Sequence, residues 1–381
     1  MPVAQAPDVK IPLVDLSPQH AEIADHALAA IGDVVKSGGF ILGEHVVRFE
    51  QTLAGMCGVA HAVGVASGTD ALVLALRACG VSEGELVLTT PLTFAATAEA
   101  IVRAGGRPVF CDVDAETLNL SPEAVRARIG ELDSSSRAKL RALLPVHLFG
   151  RACDMDALFG IAREYGLVVV EDAAQALGAR VAGRAVGGMG AAGCLSFFPS
   201  KNLGAWGDGG AVVTDDERVA ERVRRLRAHG VEGGRHVEVG CNSRLDALQA
   251  AVLEVKAARL GDWTRARIAA AARYSALLAP LAPHLRVPLP GPAGTHVFHQ
   301  YVVLARRRDD LAAHLAEKEI ESRAYYSTPL HAQPCFANRH APRVPVAESA
   351  AREILALPFF YGITVEQQTT VCRAIAAFYE G

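Results

Sequence analysis

Lysine is scarce in this chain: there are six against thirty-two arginines. Charge of one sign is missing too, since 38 basic and 41 acidic side chains leave a net charge of -3. That balance gives no electrostatic reason to expect nucleic acid or an anionic membrane as partner. No uninterrupted apolar run approaches the length of a membrane span, and the N-terminus M-P-V-A-Q-A-P-D-V-K lacks a basic segment followed by an apolar one. A cytoplasmic protein is therefore expected. Eight cysteines are scattered without a C-x-x-C pair, which suits reduced core thiols better than disulfides or zinc. A small-molecule function is the default.

Apolar residues make up 51% of the 381 positions, enough for a large core and two domains. Residues 1–60 read as an entry segment with one helix at 21–35, stopped by Gly38-Gly39. From Ala62 the pattern becomes short apolar strand, turn, helix, strand, which predicts an α/β fold with a mostly parallel central sheet and helices on both faces. The expected strands are 62–66, 86–89, 109–113, 143–148, 167–172, 195–198 and 211–213. An alanine-rich helix is expected from the Cys241 region to about Leu278, with Gly261 as the candidate break. Beyond Pro290-Gly291-Pro292 a strand at 297–304 and helices at 309–319, 348–355 and 365–378 read as a smaller α+β domain. The division expected is 1–250 and 251–381.

Within that pattern one stretch stands apart, Cys194 to Gly210, C-L-S-F-F-P-S-K-N-L-G-A-W-G-D-G-G. An apolar run breaks at Pro199 and enters a glycine-rich turn that carries Lys201. The other five lysines (Lys10, Lys36, Lys139, Lys256, Lys318) lie in segments that read as polar helix faces or loops. A partly desolvated amine on such a turn acts as a nucleophile toward a carbonyl; the alternative is a solvated turn lysine. Asp172, at the carboxyl end of the apolar run Leu167–Asp172, occupies the place where ligand sites form in parallel sheets. Ser67-Gly68-Thr69-Asp70 opens a helix after a strand, so Gly68 and Thr69 make either a phosphate seat or an ordinary cap.

Other chemistries fit less well. Gly188–Gly193 spells G-x-G-x-x-G, but it precedes a strand instead of opening a helix after one, which argues against an NAD-dependent oxidoreductase. His296-x-x-His299 on an alternating strand points its two histidines to opposite faces, so no metal centre is expected.

The ordered strings S-G-T-D-A-L, T-F-A-A-T, V-H-L-F-G, D-M-D, E-D-A-A-Q-A-L-G-A, S-F-F-P-S-K-N-L-G, G-D-G-G-A-V-V-T, H-G and N-S-R-L-D-A-L-Q-A-A resemble the DegT/DnrJ/EryC1/StrS aminotransferases. The likeness runs from about residue 10 to 280, with a weaker echo in P-L-H-A-Q-P. It implies fold type I and pyridoxal phosphate as cofactor. By resemblance Lys201 carries the cofactor as an internal aldimine and then moves protons, and Asp172 pairs with the ring nitrogen. Gln175 reaches the ring hydroxyl and Phe94 stacks on the ring. Gly68, Thr69 and Ser196 hold the phosphate, and Asn242 reaches the cofactor of a neighbouring subunit, which implies a homodimer with shared sites. Each also has a structural reading: Phe94 as core, Gln175 as a polar helix residue, Asn242 as a cap.

A lysine at 201 points to transamination, because related sugar dehydratases carry histidine there. K-N-L-G followed by G-D-G-G resembles members acting on 3-keto nucleotide sugars more than those acting at C4, which typically read K-H-I-T-T-G-E-G-G. Gly84-Glu85-Leu86 departs from the usual G-D-E, away from the cofactor residues. The expected reaction moves an amino group, from L-glutamate, to a ketone of a nucleotide-linked sugar. A keto-cyclitol acceptor is the alternative within the family, and a non-catalytic binding protein the alternative outside it, although such a protein would be expected to lose Lys201 or Asp172. His147, His299, Tyr325 and His331 are candidates for facing the sugar or nucleotide, against the commoner role of satisfied structural residues.

Overall fold

A computed structural model describes residues 11–337 and 343–380. Lys10 and the N-terminal decapeptide lie outside them.

Seven strands form the central sheet: β1 (His61–Val65), β2 (Leu86–Thr89), β3 (Arg107–Phe110), β4 (Leu140–Leu143), β5 (Val168–Asp172), β6 (Ala192–Ser196) and β7 (Gly210–Thr214). Their spatial order is β1-β7-β6-β5-β4-β2-β3. All pairings are parallel except the two made by β7, which runs opposite to β1 and β6. Successive side chains of a strand enter opposite faces, and the core divides accordingly. Val169, Leu195 and Ala211 pack under the helices Glu44–Cys57, Pro122–Glu131, Met155–Tyr165 and Ala247–Ala257. Val170, Cys194 and Val212 pack under Gly68–Ala78, Ala95–Arg103 and Glu217–Leu226. Because both faces are covered, β5 is apolar until its last two residues, Glu171 and Asp172, emerge at the carboxyl edge.

A second sheet follows, antiparallel, from β8 (Leu285–Arg286), β9 (Tyr301–Ala305) and β10 (Ile354–Leu357). The helices Leu260–Leu278, Arg308–Glu317 and Val365–Glu380 close its core. Ile11 bridges to Ile320, and Phe359 N–H donates to the Leu13 carbonyl at 3.0 Å, so the start of the described chain sits with this second sheet.

Several elements differ from their sequence-based outlines. Residues 1–60 hold a second helix, Glu44–Cys57, which buries Val46, Phe49, Leu53 and Cys57 although no side chain caps it after Gly43. Strand β6 starts three residues early because Ala192 and Gly193 pair with Val170 and Glu171. Only glycine fits at 193, where a methyl group would lie 2.0 Å from the Gly187 carbonyl oxygen. Strand β4 likewise starts three residues early, and ends at Leu143 where the expected stretch 143–148 begins. The long alanine-rich helix divides between Ala257 and Leu260, not at Gly261. The segment Ile354–Leu357 is a strand that pairs with β9 instead of the end of a helix. Lys256 is not on a polar face: its side chain is fully buried.

Candidate active site

The carboxyl edge of β5 places Asp172 in the interior, 6% exposed. Its Oδ2 accepts from Thr97 Oγ1 at 2.8 Å and its Oδ1 from the Ala174 N–H at 3.2 Å. Thr97 is itself bonded to Thr93 at 2.9 Å. Burial pushes the Asp172 carboxyl above its ordinary range, and the Thr97 and Ala174 donors oppose that rise. A carboxylate this enclosed calls for a cation.

The charge of Lys201 acts on it, with no direct ion pair between the two among the described residues. The turn after β6 is closed by Lys201 N–H to the Phe198 carbonyl at 2.8 Å and Ala205 N–H to the Phe197 carbonyl at 2.7 Å. Desolvation lowers the Lys201 amine from 10.5 to about 8, and the charge of Asp172 partly offsets the fall. His299, buried beside them, is pushed well below its ordinary value by burial and by the charges of Lys201 and Arg267. The neutral form is therefore favoured, and its Nδ1 has no hydrogen-bond partner among the described residues.

Gln175 lies one turn beyond Asp172. Its Oε1 accepts from the Phe149 N–H at 2.6 Å and its Nε2 donates to Tyr326 Oη at 3.3 Å. Tyr326 in turn lies 6.2 Å, ring centre to ring centre, from Phe94, whose side chain is 59% exposed instead of being core. At the other end of the cluster Ser67 caps the helix Gly68–Ala78 by accepting from the Asp70 N–H at 3.1 Å. The N–H groups of Gly68 and Thr69 in that first turn have no intrahelical acceptor. A methyl group at Gly68 would lie 2.6 Å from Ser196 Cβ, and one at Gly210 2.4 Å from the Ser67 carbonyl carbon. Backbone, hydroxyl and helix terminus thus meet within a space that tolerates no added carbon.

Thr97, Asp172, Lys201 and His299 lie together, and Gln175, Tyr326 and Phe94 adjoin them; Gly68 and Ser196 meet where β6, the neighbour of β5, leaves the sheet. The other sequence candidates make contacts of their own. His147 is fully buried, accepts the Cys153 N–H at Nδ1 (3.0 Å) and hydrogen-bonds Glu171 through Nε2 at 3.1 Å. Its ring faces Glu171, while its backbone N–H donates to the Asp172 carbonyl at 3.0 Å. His331 Nε2 pairs with Glu348 at 3.1 Å. Tyr325 packs edge-on against Tyr326 with the Arg323 guanidinium 5.9 Å from its ring centre. Asn242 is exposed, on a backbone bridge to Ala228.

The sequence alone does not single out Thr97, Glu171, Tyr326 or Arg267. Thr97 follows Phe94 by three residues, the spacing that puts both on one side of a helix start. Glu171 neighbours Asp172, and its carboxylate accepts N–H bonds from Gly187 (2.8 Å), Met189 (2.8 Å) and Gly190 (2.7 Å). The G-x-G-x-x-G string is accordingly a loop wrapped in large part around a carboxylate of this same chain. Among the described residues no group of three or more His, Cys, Asp or Glu is arranged to hold a metal, and no helix is long and apolar enough to cross a membrane.

A family model described as the DegT/DnrJ/EryC1/StrS aminotransferase family matches residues 21–376. A Geobacillus stearothermophilus relative named pleiotropic regulatory protein is 44% identical over 97% of this chain and 99% of its own length. The UDP-N-acetyl-3-dehydro-alpha-D-glucosamine 3-aminotransferase of Acidithiobacillus ferrooxidans is 41% identical over 97% of this chain and 98% of its own. Among solved structures, Streptomyces venezuelae DesV in complex with a ketimine intermediate superposes with a TM-score of 0.92 at 40% identity, covering 97% of this chain and 99% of that one.

Proposed function

We propose, from the premise that this chain belongs to the DegT/DnrJ/EryC1/StrS aminotransferase family, that it moves an amino group from L-glutamate to the C3 ketone of a sugar linked to a nucleotide diphosphate, with pyridoxal phosphate as cofactor. The observation that carries the reading is the placement of Asp172, buried at the end of β5 and bonded by Thr97 and Ala174, beside Lys201 on the turn that follows the neighbouring strand β6; burial raises the carboxyl and lowers the amine to about 8. The Acidithiobacillus relative, named for a 3-keto nucleotide sugar, supports the choice of acceptor.

The residues fit the cofactor. Each Asp172 oxygen accepts one donor, from Thr97 or Ala174, and keeps a lone pair for a protonated ring nitrogen. Phe94 offers an open ring face, and Gln175 Nε2 lies near Tyr326 for a ring hydroxyl. The first-turn N–H groups of Gly68 and Thr69, the positive end of their helix and the Ser196 hydroxyl suit a phosphate. Bound there, pyridoxal phosphate supplies an electron sink for the pair left on carbon when a proton departs. Asp172 holds the proton on the ring nitrogen. Lys201 Nζ, neutral in a useful fraction at physiological pH, takes the proton from the glutamate α-carbon and returns one to the sugar carbon that gains nitrogen. His299, whose Nδ1 has no partner among the described residues, faces the substrate as acceptor or donor.

The working unit is a homodimer, with Asn242 completing the phosphate site of the second copy. Val239 and Val237, 84% and 50% exposed, stand beside Asn242 as an apolar surface for a partner to cover. The chain divides near residue 250 into a larger cofactor-binding domain and a smaller C-terminal one, with Ile11–Leu13 seated on the latter.

The test supplies the protein and pyridoxal phosphate with ¹⁵N-glutamate and, separately, UDP- or dTDP-linked 3-keto sugars, their 4-keto isomers and a free keto-cyclitol. Label is expected in an amino sugar from the 3-keto nucleotide substrate. Label in the cyclitol alone, or in none, would overturn the assignment.

A further inference from the structure

Lys256, on the helix Ala247–Ala257, is fully buried and makes no salt bridge among the described residues. Its Nζ donates to the Gly204 carbonyl at 2.5 Å and lies 5.8 Å from the Trp263 ring centre. An unpaired buried ammonium is a cost to the fold, and an apolar side chain of similar volume is commonly neutral or stabilising in its place. Something other than packing therefore accounts for a lysine here.

Gly204 ends the turn that carries Lys201. A methyl group at Gly204 would lie 2.2 Å from the Pro199 carbonyl oxygen, so residues 199–204 fold tightly back on themselves. Asn202 Nδ2 ties the middle of the turn to the Val297 carbonyl at 3.2 Å. Lys256 ties its end from the opposite element. A charged donor to a carbonyl is a strong bond in such surroundings.

We propose that Lys256 is a positioning residue for transamination: its bond to the Gly204 carbonyl fixes the turn Pro199–Gly204 and so the direction from which Lys201 faces Asp172. This rests on Lys201 being the reacting amine.

The experiment compares the full-length protein with K256M and with K256Q, which keeps a neutral N–H donor. Hydrogen exchange is measured without cofactor, alongside thermal unfolding, and kcat and KM are measured with it. In K256M the unfolding temperature is expected to hold or rise while amides at 198–205 exchange at least tenfold faster and those of β7 are unchanged. Turnover falls at least tenfold with little change in KM for the keto sugar, and K256Q lies between. Unaltered exchange at 198–205 would overturn the proposal. So would faster exchange throughout the chain with a lowered unfolding temperature, or failure of both variants to fold, since either makes the ammonium a general structural requirement. If wild type fixes no pyridoxal phosphate on Lys201, the functional reading fails by itself; the cofactor-free exchange still decides whether the tether exists.

Discussion

Replacing Asp172 with Asn removes one charge and almost no volume, and two consequences of opposite sign follow. The Asn amide still accepts the Ala174 N–H and donates to Thr97, whose hydroxyl turns to Thr93, so the fold survives. Without cofactor, the carboxylate is what holds the Lys201 amine up against desolvation. Its loss moves Lys201 below about 8. An amine at about 8 is neutral to roughly a tenth at pH 7 against roughly 0.03% at 10.5, about 300-fold more. D172N enlarges that fraction, so capture of pyridoxal phosphate at pH 7, followed by borohydride trapping, is expected to be as fast as in wild type or faster. With cofactor the effect reverses. A carboxylate ~4 Å from a protonated ring nitrogen, at an effective dielectric of about 20, contributes roughly 4 kcal/mol. That is about three pKa units and about a thousandfold in single-turnover transamination with glutamate. A D172N protein that loses less than about tenfold, or whose capture slows in parallel with turnover, would refute this division of labour.

Gly68→Ala forces Ser196 to move, because the new methyl group meets Ser196 Cβ at 2.6 Å; about 1–3 kcal/mol of stability should be lost by urea titration, with at least tenfold weaker cofactor binding. Glu171→Gln sets an amide N–H against backbone donors and should cost about 3 kcal/mol. Although burial opposes it, His147 and the loop N–H groups depress the Glu171 carboxyl. Its contribution is present above the ordinary carboxylate range and lost as pH falls through the folded value, so wild type should lose more stability than E171Q on acidification. Thr97→Val removes a donor that lowers the Asp172 carboxyl, and the acid limb of the kcat/KM profile should move to higher pH.

Much of the site is legible in the chain because it lies at element ends, where composition changes abruptly. Asp172 terminates an apolar run, Gly68 and Thr69 open a helix, and Lys201 follows a strand broken by proline. Each is local information. Side chains whose role depends on a distant segment leave no such mark. Lys256 sits in an alanine-rich helix whose polar residues look solvated, and the turn 199–204 and Trp263 packed against it turn that position into the interior. Tyr326 and His299 reach Asp172, Gln175 and Lys201 from the C-terminal part of the chain. His147 and Glu171, both polar within apolar strings, satisfy each other and the loop 187–190. Strand limits shift for a related reason: Ala192 and Gly193 have weak strand preference, and partners on β5 recruit them.

The most direct test of the central claim is to incubate the protein with pyridoxal phosphate, reduce with borohydride and map the modified peptide by mass spectrometry, beside Lys201→Ala. A single pyridoxyl group on Lys201, absent from the variant, is the expected result. A group on Lys256 or another lysine, or equal labelling in the variant, would contradict the account.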